Sequence, residues 1–170
     1  MEQPKAKLAF GAAYAASAAY VVATLPRLPE CVASSFGADG IAQASMSRAA
    51  YVALFGGLCL LIPLLLLAAF CWIPRRFPQH TNIPLRELWL APENRAALHA
   101  CMDRAGLVLA GSAALFFAAM HALILAANES EPAQLPQRTF FLMLGVFVAV
   151  SVGTALRMSL ALRKPPPRPR

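Results

Sequence analysis

The chain has 170 residues, of which 59% are hydrophobic and only 14% charged, and its mean hydropathy is +0.58. Soluble domains carry about a quarter charged residues, so the composition argues against a water-soluble fold. The net charge of +7 comes without the basic–aromatic pattern of a nucleic-acid binder, so no nucleic-acid partner is expected.

A membrane crossing needs roughly 20 mainly apolar residues. Residues 8–25, 49–73, 105–127 and 140–162 meet that requirement, and the second and third stretches contain no Asp, Glu, Lys or Arg. The expectation is an all-α integral membrane protein, a four-helix transmembrane bundle forming one domain. Fifteen basic residues are present, and all but Arg27, Arg48 and Arg138 fall in the N-terminal tail, the second loop or the C-terminal end. The positive-inside rule then places both termini and the second loop in the cytoplasm, where basic residues also favour anionic lipid headgroups.

In chain order, residues 1–7 read as a short tail. The first span is Ala-rich, and "ASA" at 16–18 resembles a signal-peptidase site, which if cut would leave three spans. Tyr14 and Tyr20 are large for the polar end of a signal sequence, so the segment is expected to stay as a span. Loop 26–48 lies outside. Pro26 and Pro29 force extended or turn geometry, "ECVASSF" reads as a short strand or a helical turn, and "GADG" reads as a turn. Ser45 or Ser47 is expected to cap the second span.

Loop 74–104 is cytoplasmic. Within "IPLRELWLAPENR", Leu85, Leu88 and Trp89 form an apolar cluster suited to the membrane surface beside Trp72. Pro92 and Glu93 suit the first turn of a helix that runs into the third span. Arg95, His99 and Asp103 follow at intervals of four as a water-compatible stripe. Loop 128–138 is external and short, with "NES" at 128–130 fitting a glycosylation sequon. The tail from 163 to 170, "RKPPPRPR", is expected to be extended and to act as a basic flank.

Small residues recur every four positions: Gly11, Ala15, Ala19 and Ala23 in the first span; Gly106, Ala110 and Ala114 onward in the third; Gly145, Ala149 and Gly153 in the fourth. Such ridges let helices approach closely in lipid, so Gly11, Gly106, Ala110, Gly145 and Gly153 are the candidate packing positions. His121 is the one ionisable residue well inside a span. With no second His, Asp or Glu in any span, a proton relay or bis-His haem lacks its other half. The favoured role is a packing hydrogen bond to a carbonyl or hydroxyl of another helix.

Only Cys31 among four cysteines faces outside, so no intramolecular disulfide is expected. No metal or cofactor motif and no catalytic motif stands in the sequence, and the expectation is a protein that is not an enzyme.

"LPECVASSFGADGIAQASMSR", set between the first and second spans, resembles a signature of SdpI-like bacterial membrane proteins. The matching positions are Leu28, Pro29, Val32, Phe36, Gly40, Met46 and Ser47. In the second loop Ile83, Pro84, Trp89, Leu90, Ala91, Pro92, Glu93 and Arg95 also resemble that family. Ser35 stands where the family usually has His, and Ser45 where it has Trp, so any role resting on that His does not carry over.

The resemblance implies a protein of the bacterial inner membrane that recognises a peptide or protein, in toxin immunity or signalling. The candidate recognition residues are Pro29, Glu30, Phe36 and Asp39 outside, with Arg86, Trp89 and Glu93 inside. The alternative is a structural accessory subunit of a larger membrane complex. A small transporter or channel component is a weaker third reading, because intramembrane charge is nearly absent.

Overall fold

A computed structural model describes residues 3–165. Four long helices dominate it. Helix α1 (Gln3–Thr24) begins within the expected N-terminal tail, with Pro4 in its first turn, where the missing N–H of proline has no helical partner to lose. Strands β1 (Cys31–Phe36) and β2 (Ala42–Ser47) form an antiparallel hairpin. Helix α2 (Arg48–Arg76) follows without a break. A short helix α3 (Arg86–Leu90) precedes α4 (Arg95–Asn128) and α5 (Gln137–Leu162). These four long helices are long and apolar enough to cross a membrane. The Pro-rich tail expected over 163–170 lies, from residue 166 on, outside the described residues.

The arrangement departs from a square bundle. Helix α4 is the hub: α1, α2 and α5 each pack along it and touch one another little. Its sequence explains why. Gly106, Ala110, Ala113 and Ala114 are all buried, and small side chains let three neighbours approach one backbone. At Gly106 an added Cβ would lie 2.7 Å from the Phe70 Cβ and 3.1 Å from the Cys71 Sγ of α2. The other packing candidates behave differently. An added Cβ at Gly11, Gly145 or Gly153 would meet nothing within 4 Å, so these glycines open onto the outer face of the protein. At 34 residues, α4 is about 50 Å long against a hydrocarbon core of about 30 Å. Its first turns therefore project past the apolar stretch.

Helix α2 is irregular. Pro63 is buried within it, and π-helical turns at Val52–Gly56 and Ala68–Trp72 flank its middle. Proline removes one helical donor, and the Tyr14 hydroxyl donates to the Leu60 carbonyl (3.0 Å) close to that gap. Tyr14 thereby ties α1 to the irregular part of α2.

Two details of the expected α4 start change. The helix begins at Arg95, not near Pro92, because residues 91–94 form a turn closed by Asn94 N–H donating to the Ala91 carbonyl (2.9 Å). The Asn94 side chain is used elsewhere, donating to the Leu88 carbonyl (2.9 Å). Asp103 does not face water either: its side chain is 4% exposed and is gripped at two points by Arg75 (2.7 Å each).

Candidate functional site

The hairpin forms a lid over one end of the helices. Leu28 and Val32, 1% and 0% exposed, pack with Tyr51, Ile124 and Leu125. The Leu-Pro-x-x-Val part of the loop is thus an anchor that seats β1 on α4. The edge of β1 is closed by one side chain. Asn128 at the end of α4 accepts from Ala33 N–H (2.7 Å) and donates to the Ala33 carbonyl (3.1 Å), imitating a paired strand. The asparagine of the "NES" sequon is therefore a structural clamp, half-buried against the hairpin.

At the hairpin tip Gly40 has φ +82°, a region that favours glycine. Its carbonyl accepts from Leu135 N–H (2.9 Å), and Gln137 donates to the Gly37 carbonyl (3.1 Å). The tip is thereby fastened to the chain that leads into α5. Ser47 caps α2 by accepting from Ala50 N–H (3.2 Å), while Ser45 meets the Cys31 thiol (3.1 Å) instead.

Directly beneath lies a buried polar node. His121 of α4 is 0% exposed. Its Nδ1 lies 3.0 Å from the Tyr51 hydroxyl of α2, and its Nε2 lies 2.8 Å from Thr24 Oγ1 of α1. Thr24 Oγ1 is also 2.7 Å from the Tyr20 carbonyl and must donate to it. That fixes the direction of the chain. His121 donates through Nε2–H to Thr24 and accepts at Nδ1 from Tyr51, so the neutral imidazole satisfies every partner. The rings of Tyr20, Tyr51 and Phe55 surround it at 5.9–6.2 Å. The node joins three helices with no ionised group, an arrangement suited to locking helices together.

Between hairpin and helices runs a groove of about 540 Å³, lined among others by Ser35, Phe36, Met120, Gln137 and Phe140. Of the external candidates, Phe36 lines this groove half-buried, and Pro29 and Glu30 are exposed at the base of β1. Exposed Asp39 has a structural task, since its carboxylate accepts from Ile41 N–H (3.0 Å) and holds the turn. Pro29 and Glu30 contribute backbone carbonyls to Arg48, through its side chain (3.3 Å) and its N–H (2.9 Å) respectively.

The internal candidates are spread apart. Trp89 is 5% exposed and donates its indole N–H to the Leu162 carbonyl at the end of α5 (2.9 Å). It packs with Leu98, Met102 and Leu162, so it joins the protein's own elements and leaves little surface for a partner. Arg86 donates to the Gln79 carbonyl (2.8 Å), and both Arg86 and Glu93 are exposed. Leu85, Leu88 and Trp72 stay exposed as an apolar rim.

Sequence reasoning missed Thr24, Tyr51, Asn128, Gln137 and the Arg75–Asp103 pair. Each acts across 28 to 100 positions of sequence, and a single chain offers no signal for such pairing. The one local hint was a lone histidine in an apolar helix, which demands some partner.

Among the described residues, no three His, Cys, Asp or Glu side chains stand together as a metal site. The fold and site define a multi-helix protein built for a membrane, with a small hairpin lid at one end. No family model matches the chain, and no curated protein or solved structure does so either.

Proposed function

We propose that the chain is a non-enzymatic, SdpI-like protein of a bacterial inner membrane. In this reading both termini and loop 74–104 face the cytoplasm, the hairpin faces outside, and the hairpin groove receives a peptide or protein partner. Toxin immunity or signalling is the setting that the family resemblance implies. The observation that carries the reading is the groove of about 540 Å³ edged by Phe36. It lies on a lid held rigid by Asn128, Gly40 and Gln137, and loops fixed on a rigid scaffold are where binding residues concentrate. The polar node beneath gives support, not chemistry, which fits recognition better than catalysis.

A second reading is favoured by one observation. Gly145 and Gly153 of α5 open outward with nothing within 4 Å, and α5 packs chiefly on α4. A small-residue face left open suits a larger membrane partner, as an accessory subunit would have.

One experiment separates the two. Tagged protein is extracted from its native membrane in mild detergent, and companions are identified by mass spectrometry for wild type, a Glu30→Gln/Phe36→Ala double variant, and Gly145→Leu. Recognition through the hairpin predicts that the double variant loses its companion while Gly145→Leu keeps it. The opposite pattern makes the chain an accessory subunit, and companions indifferent to both changes defeat both readings.

A further inference from the structure

The opposite end of the protein holds a second groove, of about 550 Å³, between α4 and α5. Its lining includes Trp89, Ala105, Val108 and Met158, together with two guanidinium groups, Arg104 and Arg157, and no carboxylate among the described residues. Among the described residues the nearest acid in sequence is engaged elsewhere. Asp103, next to Arg104 in sequence, turns its carboxylate to Arg75 at two points (2.7 Å each). Arg104 and Arg157 are both exposed.

Their position matters as much as their charge. Arg104 immediately precedes the apolar stretch 105–127. Arg157 sits just over a turn before α5 ends at Leu162, and α5 runs back along α4. Both arginines therefore lie at one end of the helix pair, beside the end of the apolar stretch of α4. Ala105 and Val108 continue the groove from there along the apolar helices. A ligand that fits must carry negative charge at one end and hydrocarbon at the other. A wholly water-soluble anion would gain nothing from the apolar walls.

We propose that this groove is a binding site for an anionic phospholipid, with its phosphate held between Arg104 and Arg157 and its acyl chains running along Val108. Guanidinium groups match phosphate oxygens at two points each, and basic pockets between membrane helices are a recognised form of headgroup site. Trp89, locked in place by its bond to Leu162, fixes the wall nearest α3. This site is independent of the hairpin groove and of whatever that groove receives.

The test uses the full-length protein in neutral detergent, with native mass spectrometry and thermal unfolding as readouts. The probes are phosphatidylglycerol, phosphatidylcholine with the same acyl chains, and glycerol phosphate without chains. Wild type should retain one phosphatidylglycerol under collision energies that strip phosphatidylcholine, and only phosphatidylglycerol should raise the unfolding temperature. The Arg104→Gln/Arg157→Gln variant should lose that preference by roughly tenfold or more, since each basic residue near an anionic headgroup contributes about a factor of five. Arg138→Gln, at the far end of α5, should retain it.

Equal retention of the two lipids by wild type overturns the proposal, as does a preference that survives in the double variant. Protection by glycerol phosphate equal to that by the lipid would make this a soluble phosphate site, which also overturns it. Because the wild-type comparison stands alone, poor folding of the double variant would not shelter the idea.

Discussion

At the scale of single residues, His121 is the point where three helices are joined. It draws a hydroxyl from α1 and another from α2 into one closed hydrogen-bond chain, beneath the hairpin that packs on Tyr51. Measured interhelical hydrogen bonds in membranes contribute about 0.6 kcal/mol on average and rarely exceed about 1.7. Tyr51→Phe removes only the donor to Nδ1 and should destabilise by about 1 kcal/mol. Thr24→Val should do about the same, because it leaves Nε2–H without an acceptor. His121→Leu severs both bonds and loses the ring contacts to Tyr20 and Phe55, so about 2 kcal/mol or more is expected. Unfolding midpoints in detergent for the three variants check the order. Were His121→Leu the mildest of the three, the node would not be a lock. The node was half legible in the sequence. A lone histidine amid apolar residues asks for a hydroxyl or carbonyl partner, but nothing local says that the partners stand 97 and 70 positions away.

At the scale of elements, the four long helices were legible because a bilayer imposes a one-dimensional rule: about 20 apolar residues per crossing. The hairpin was legible in part: the turn was readable, the segment 30–36 stayed open between a strand and a helical turn, and β2 was not read. Its strands escape period-two reading because a bulge falls between Ala33 and Phe36, and β1 shows no clean alternation of buried and exposed positions. A bulge sends neighbouring side chains to the same face and erases the pattern. "GADG" was readable since glycine with φ +82° at position 40 is turn chemistry. That position yields a prediction. In Gly40→Ala the left-handed conformation costs about 1 kcal/mol, and the new Cβ would lie 2.7 Å from the Leu135 carbonyl oxygen. The tip should detach from the segment before α5 while the helices stay packed. Hydrogen exchange should therefore quicken in residues 37–42 and 133–137, with the midpoint of global unfolding shifted far less. Uniform loss of protection through α4 would show that the hairpin is part of one cooperative unit with the helices.

At the scale of the whole molecule, the hub arrangement separates two kinds of small residue that the sequence had merged. The fourfold spacing at Gly106 and Ala110 is the same as at Gly145 and Gly153, so sequence alone made both sets packing candidates alike, with no way to say whether they pack within the chain or against a partner. The two sets have different neighbours. Gly106 meets Phe70 and Cys71 across the α2–α4 crossing, whereas Gly145 and Gly153 meet nothing within 4 Å. Position in the fold, not spacing, decides which ridge is used by the chain itself. Substitution should expose that difference. Gly106→Leu places a branched side chain where even a methyl would lie 2.7 Å from Phe70 Cβ. Overpacking of this kind costs about 3 kcal/mol at its upper usual range, and α2 must move off α4. Loss of the monodisperse species in size-exclusion chromatography is expected. Gly145→Leu adds apolar surface where lipid or another protein lies, so the isolated chain should fold and unfold as wild type does. What Gly145→Leu does to assembly then carries information that Gly106→Leu cannot give. If wild type migrates with a companion or a second copy and Gly145→Leu migrates alone, the open face of α5 is an interface. If both migrate alike, that face belongs to lipid, and any partner must be met at the hairpin end.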